Sequence, residues 1–358
     1  MPELDFPVFK TRVPGVTEKF RFEDPVDRRR YFMAKAGPEI EKLKDYLRKN
    51  VFVAFLLGPK NSGKGTYTKL FMEAVGDEHV RHVSVGDIVR SVHRDLADAA
   101  KREELNAYLR ERYRGFVPVE QALDIILGRD TKTLLPTEVI LVLVEREIGR
   151  IGRKAVFIDG FPRGLDQVSY SLYFRTLMGY RDDPDFFVFI DVPETVIGER
   201  MKGRVSCPTC QTPRGLKLLR TKEVGYDHRT GEFFLICDNP QCPSPQRMMV
   251  KEGDEFGIEA LRDRMELDKT VMCKLIELQG IPKVLLRNTV PIAVAAEMVD
   301  GYEITPAYRY EWDAAANAVK IIEEPWIVAD DAGQPSYSLL PGAVVVALIK
   351  QTIAVLGL

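Results

Sequence analysis

The stretch LLGPKNSGKGTYTK, residues 56–69, differs by one position from the phosphate-loop pattern G-x-x-x-x-G-K-[ST]. Gly58 and Gly63 are five apart and Lys64 follows, but Gly65 stands where the hydroxyl belongs, and Thr66 comes one residue late. The flanks support a phosphate cradle over a chance glycine-rich turn. VFVAFLL (51–57) is an unbroken apolar run rich in β-branched and aromatic residues, as a strand buried on both faces requires, and KGTYTKLFMEAV (64–75) reads as a helix. A glycine turn between the two lets backbone N–H groups converge at a helix N-terminus, where an anion is stabilised and a lysine can reach the outer phosphates.

The same alternation continues along the chain. RHVSV (81–85), KAVFID (154–159), DFFVFIDV (185–192) and PKVLLR (282–287) are further buried-strand candidates, with helical patterns over 86–100, 137–149, 165–178, 193–203 and 255–279. Strands alternating with helices predict an α/β fold, a doubly wound parallel sheet with helices on both faces. Two stretches interrupt it. Residues 91–136 are mostly helical and charged, and 205–252 carry cysteines among turn residues, so both read as inserts in a core spanning 51–304. Residues 1–50 form an arm ending in an amphipathic helix over 37–50, with Ile40, Leu43 and Leu47 on one face. Residues 305–358 add strands, turns and an apolar helix near 341–357. That helix is short and interrupted by Lys350 and Gln351, so it is expected to be core or a subunit contact rather than a membrane element.

Composition narrows the function classes. Of 358 residues 45% are hydrophobic and 29% charged, and the net charge of −2 gives no bulk field for nucleic acid or membrane, so any anion site is a local basic cluster. The opening MPELDFPVFKTR lacks the apolar segment of a secretion signal, and a cytoplasmic protein is expected. Four of the five cysteines lie in C-x2-C and C-x4-C pairs, Cys207/Cys210 and Cys237/Cys242. In a reducing compartment this spacing predicts a structural four-thiolate site of the zinc-ribbon type. Two disulfides are the alternative, and iron fits the same sulfurs.

Several stretches together resemble the adenylate kinase family, with zinc-type lid and added ends. G-P-x-x-x-G-K-G-T matches that family's phosphate loop, in which Thr66 replaces the usual hydroxyl. HVSVGDIVR (82–90) resembles the segment that opens its monophosphate site, and VFIDGFPRGLDQ (156–167) resembles its Asp-Gly-Phe-Pro-Arg signature at a strand's carboxyl end. ERMKGR (199–204) sets Arg200 and Arg204 on one helical face, and EALRDRM (259–265) resembles its later arginine helix. The resemblance implies a nucleoside monophosphate kinase that moves a phosphoryl group from Mg·ATP to AMP. Gly58, Asn61, Ser62, Gly63, Lys64, Gly65, Thr66, Arg200 and Arg204 would hold ATP. Val85, Arg90, Leu134, Leu135, Gly160, Arg163, Gln167 and Arg264 would hold the monophosphate. Lys64, Arg163, Arg200, Arg204 and Arg264 would stabilise the transferring phosphoryl, Asp159 would orient hydrated Mg²⁺, and Zn²⁺ would sit in the cysteine lid.

This chain departs from the family in four places. Asn61 replaces a common glycine, a tolerable change because asparagine accepts the left-handed region. Gln167 matches the glutamine that reads adenine, whereas Val85 is the small apolar residue of pyrimidine-preferring relatives, so CMP or UMP is the alternative to AMP. The segment before TLLP (133–136) is longer than usual, and no lid arginine is evident before GDE (253–255), leaving Arg247 or Lys251 as replacements. A nucleotide-binding regulatory protein without turnover is a further alternative, as is oligomerisation through the terminal extensions.

Overall fold

The computed structural model describes residues 6–127, 136–177, 183–250 and 257–358. Leu134, Leu135 and Lys251 lie outside the described residues. In chain order the central strands are β1 (Val53–Leu57), β2 (Val80–Ser84), β3 (Ala155–Asp159), β4 (Asp185–Asp191) and, after five short strands β5–β9 within residues 204–250, β10 (Lys283–Arg287). They form one parallel sheet in the order β10-β4-β1-β3-β2. The middle strand β1 is buried at every position, which is why its sequence is continuously apolar. Around it Phe52, Phe71, Phe157 and Phe186 pack ring to ring with centroids 5.1–6.5 Å apart.

Helices cover both faces. One set joins α1 (Pro25–Leu47), α2 (Lys64–Val75) and the last helix, α11 (Pro341–Leu356). The other includes α3 (Val85–Asp95), α6 (Thr137–Ile151), α7 (Leu165–Leu177) and α9 (Arg262–Glu277). Between α3 and α6 lie α4 (Ala99–Arg112) and α5 (Val119–Leu127), the helical insert. α8 (Glu194–Met201) follows β4, and α10 (Ile292–Met298) follows β11 (Thr289–Pro291).

Boundaries differ from expectation for local reasons. α1 starts twelve residues before the expected Gly37, because Asp24 accepts a 2.8 Å bond from Val26 N and Pro25 occupies the first turn; Ala36, ahead of Pro38, has φ −149° and kinks it. The charged stretch FEDPVDRRR (22–30), within the expected arm, thus contains the start of a helix. β2 ends at Ser84, not Val85, since the Ser84 hydroxyl accepts from Asp87 N (3.3 Å) and caps α3.

The chain ends build on this core. α11 is buried from Gly342 to Ile349, so the apolar tail helix is core. Gln351, which broke the apolar run in sequence, binds the outer strand: its side chain accepts from Leu285 N (2.9 Å) and donates to Leu285 O (2.8 Å). Glu303, wholly buried, accepts from Thr11 Oγ1 (2.7 Å) and from Tyr31 OH, and lies 3.7 Å from the equally buried Lys35, which also pairs with Asp300. This joins the N-terminal segment to residues 300–303, where the tail begins. Among the described residues no helix is long and apolar enough to cross a membrane.

The cysteine module contains a three-stranded sheet, with β5 (Arg204–Ser206) between β6 (Pro213–Gly215) and β9 (Met249–Val250), and a hairpin of β7 (Val224–Asp227) and β8 (Glu232–Leu235). A second hairpin, β12 (Pro306–Asp313) with β13 (Ala318–Pro325), leans on it from the tail. Trp312 stacks on Tyr226 (4.9 Å, 13°), with His228 edge-on at 4.7 Å, and Tyr310 tilts against Phe233 (5.6 Å). Tyr308 N also donates to Lys217 O (2.8 Å). Strands β14 (Ile327–Ala329) and β15 (Pro335–Ser338) complete a small sheet with β11.

Candidate active site

Lys64, Asp159, Arg163 and Arg264 come together at the carboxyl end of the parallel sheet, where open α/β folds place ligands. From β1 the chain turns through Gly58 to Gly63 into α2. Asn61 has φ 67° and Gly63 φ 103°. The departure from glycine at 61 therefore occupies the left-handed region, as asparagine can. Gly63 has no substitute, since a Cβ there would lie 2.7 Å from the Tyr67 ring. Lys64 Nζ donates to the carbonyls of Gly58 (2.7 Å) and Pro59 (3.0 Å) and lies 3.9 Å from Asp159 Oδ1. Ser62 Oγ and Asn61 Nδ2 are buried and have no hydrogen-bond partner among the described residues, and Thr66 is exposed.

A cleft opens beside the loop. Lys64 and Gly58 line it with Asp159 and Gly160 from the end of β3, Arg163 from the following turn, and Arg264, Asp268, Val271 and Met272 from α9. Two cationic arms from distant segments thus meet the loop lysine. Burial lowers the Lys64 pKa, opposed by Asp159 and Asp268. Burial would raise Asp159, but His82 (3.8 Å), Lys64 and Arg163 outweigh it and hold the carboxyl below its ordinary value. Asp268 goes the other way: burial raises it despite Lys64 and Arg264, whose Nε is 4.0 Å away.

The other pair of arginines reaches the loop from α8 and β5. Arg200 donates to Asn61 O (3.1 Å) and Arg204 to Asn61 Oδ1 (3.0 Å). Gln167 is buried, and its Oε1 accepts from Arg163 N (2.8 Å), so half of its amide is committed to holding the turn that carries Arg163. Val85 is buried at the start of α3. Arg90 is not brought into the cleft; its side chain is exposed and pairs with Asp87 one helical turn back. Sequence reasoning missed Asp268, although its place one turn after Arg264 on a helix was a signal. It also missed Asn288, just past β10, which no motif marked.

The four thiols form a separate centre. Cys207 and Cys242 Sγ are 3.8 Å apart, Cys210 and Cys237 3.6 Å, and all four sulfurs lie within 4.8 Å of one another with no disulfide. Tetrahedral zinc with bonds of about 2.3 Å separates its sulfurs by about 3.8 Å, so the donor set fits that ion. Thr212 Oγ1 lies 3.1 Å from Cys210 Sγ and accepts from Asn239 Nδ2 (2.9 Å), an outer layer that orients the ligand.

Comparison with known proteins agrees with the architecture. A family model described as AAA domain matches residues 57–208. An adenylate kinase of Hydrogenobaculum sp. (strain Y04AAS1) is 27% identical over 226 residues, 63% of this chain and 86% of the relative. One from Clostridium acetobutylicum is 30% identical over 213 residues, 59% of this chain and 79% of the relative. A protein of Arabidopsis thaliana named probable UMP-CMP kinase 2 is 26% identical over 204 residues, 55% of this chain and 67% of the relative. A glycine loop gripped by two arginines and a match of this extent to the Clostridium protein lead to one assignment: the chain belongs to the adenylate kinase family.

Proposed function

We propose that this protein is a nucleoside monophosphate kinase and that its reaction is Mg·ATP + AMP ⇌ 2 ADP. The observation that carries this reading is the shared cleft of Lys64, Arg163 and Arg264, bordered by Asp159. Phosphoryl transfer spreads charge over equatorial oxygens while attacking and leaving oxygens align, so positioned cations are the main catalytic resource. In this reading the loop amides, Ser62 Oγ, Asn61 Nδ2 and Lys64 bind the ATP phosphates, and buried donors with no partner among the described residues suit that task. Arg200 and Arg204 flank ATP, while Arg163 and Arg264 face the phosphoryl in transfer. Arg90 serves the monophosphate once its pairing with Asp87 is exchanged for phosphate. Mg²⁺, when bound with ATP, neutralises phosphate charge, with Asp159 holding its water shell. The inserts at 91–136 and 205–252 close over the two substrates and exclude water. Zn²⁺ at the four cysteines staples the second insert, which has little core of its own.

Gln167 supports AMP as acceptor, since its amide nitrogen can still face a base while its oxygen holds Arg163 N. Val85 favours a second reading, a kinase for CMP or UMP, as one relative's name suggests. A coupled assay offering AMP, CMP, UMP, GMP and dTMP separates them. Highest kcat/KM with AMP is expected, and preference for a pyrimidine nucleotide rejects that choice. Binding of ATP with no turnover on any of the five rejects the kinase reading altogether.

A further inference from the structure

Asn288 is fully buried immediately after β10, and every polar capacity of its side chain is used. Oδ1 accepts from Arg200 Nη2 (3.0 Å) and from Ser338 Oγ (2.9 Å); Nδ2 donates to Tyr67 OH (3.0 Å) and to Leu339 O (3.1 Å). A guanidinium only donates and a carbonyl only accepts, so the amide orientation is fixed by its partners. The main chain is pinned as well: Asn288 N donates to Asp191 O (3.0 Å), and Leu339 N donates to Asn288 O (2.8 Å). Arg200 passes the constraint on through Nη1 to Asn61 O at the loop (3.1 Å). A bonded path therefore runs from the tail at Ser338–Leu339, through one amide, to an arginine and the phosphate loop.

We infer that Asn288 is a positioning residue that presents Arg200 to ATP, and that the tail segment Ser338–Leu339 belongs to the scaffold of the ATP subsite. This rests on the reading that Arg200 serves ATP. The physical reason is entropic. A long arginine loses several rotamer-rich torsions on meeting a ligand, and a buried acceptor removes that cost in advance. No apolar residue could accept from Arg200. Aspartate could, but it would forfeit the two Nδ2 donations and face Leu339 O with like charge.

The test is isothermal titration of the full chain with Mg·ATP, alongside thermal unfolding. Asn288→Ala is expected to weaken ATP binding about tenfold, and Ser338→Ala severalfold, with the monophosphate KM changed less than twofold. Asn288→Asp is expected to melt at least as low as Asn288→Ala yet bind ATP within about threefold of wild type, because the acceptor is kept. In the Arg200→Ala background, Asn288→Ala is expected to cause no further loss. Equal ATP affinity in wild type and Asn288→Ala, losses that add in the double variant, or Asp and Ala variants falling alike in affinity overturn the inference. Those outcomes are read from binding alone. Lack of turnover with every monophosphate would reject the kinase reading and leave this test standing.

Discussion

Arg204 Nη1 donates to Asn61 Oδ1 at 3.0 Å, a bond between residues 143 apart in sequence. One residue thereby both shapes the loop, with its φ of 67°, and anchors the arginine at the root of the cysteine module. The two roles separate by substitution. Asn61→Gly keeps the turn and loses the anchor; Asn61→Ala loses the anchor and adds the left-handed penalty of roughly 1–2 kcal/mol. Urea unfolding should place the alanine variant below the glycine variant by about 1 kcal/mol. Equal stabilities would mean that the backbone at 61 carries no strain.

Lys64→Met should leave the fold in place and lower kcat/KM about 10²–10³-fold, the usual scale for removing one transition-state donor. Circular dichroism reports the fold and the coupled assay reports the rate. A variant within tenfold of wild type would remove Lys64 from the chemistry.

Elemental analysis should find about one zinc per chain, and Cys207→Ser should lose it and melt several degrees lower. Incubation with a chelator should make residues 205–250 a preferred site of proteolysis. Iron in place of zinc would change the ion without changing the staple, whereas no metal at all would reject the centre.

Trp312→Ala removes the stack on Tyr226 and the edge contact with His228. Pairs of this kind contribute about 0.5–1.5 kcal/mol each. Hydrogen exchange over 224–235 should quicken about tenfold in the variant, since that hairpin loses its outer cover. Unchanged exchange would show that β12–β13 rests on the module without steadying it.

At the end of β4, burial pushes the Asp191 carboxyl up to about 6, with Asp331 adding like charge. A raised acid binds its proton more tightly folded than unfolded, so this group's contribution is favourable at low pH and is lost as pH rises through about 6. Asp191→Asn should therefore raise Tm at pH 7 by several degrees and have little effect below the ordinary carboxylate value of 3.8. A shift of equal size in both ranges would contradict the burial of that carboxylate.

The central sheet was legible because strands buried on both faces must be apolar throughout, as in VFVAFLL and DFFVFIDV. The family resemblance also marked Lys64, Arg163, Arg200, Arg204 and Arg264, each of which lines the cleft or bonds to the loop. Asn288 was not legible, since a single amide acquires meaning only from partners at Tyr67, Arg200, Ser338 and Leu339, which folding alone assembles. The first half of α1 was hidden for another reason. Its charged residues obscured the apolar face, and the signal lay in the Asp24-Pro25 start. Pairing of the tail hairpin with the cysteine module depends on cross-chain aromatic geometry that periodicity does not report.

Shortened versions of this protein offer a last lesson, from the burial of Glu303. Deleting the first fifty residues would strand that carboxylate without Thr11, Tyr31 or Lys35, and a buried charge stripped of its counterparts is among the costliest defects a fold can carry. Clipping the final helix would bare α2 and the outer strand that Gln351 covers. The span shared with relatives is thus smaller than the unit able to stand alone, and any trimmed version for expression must retain both ends.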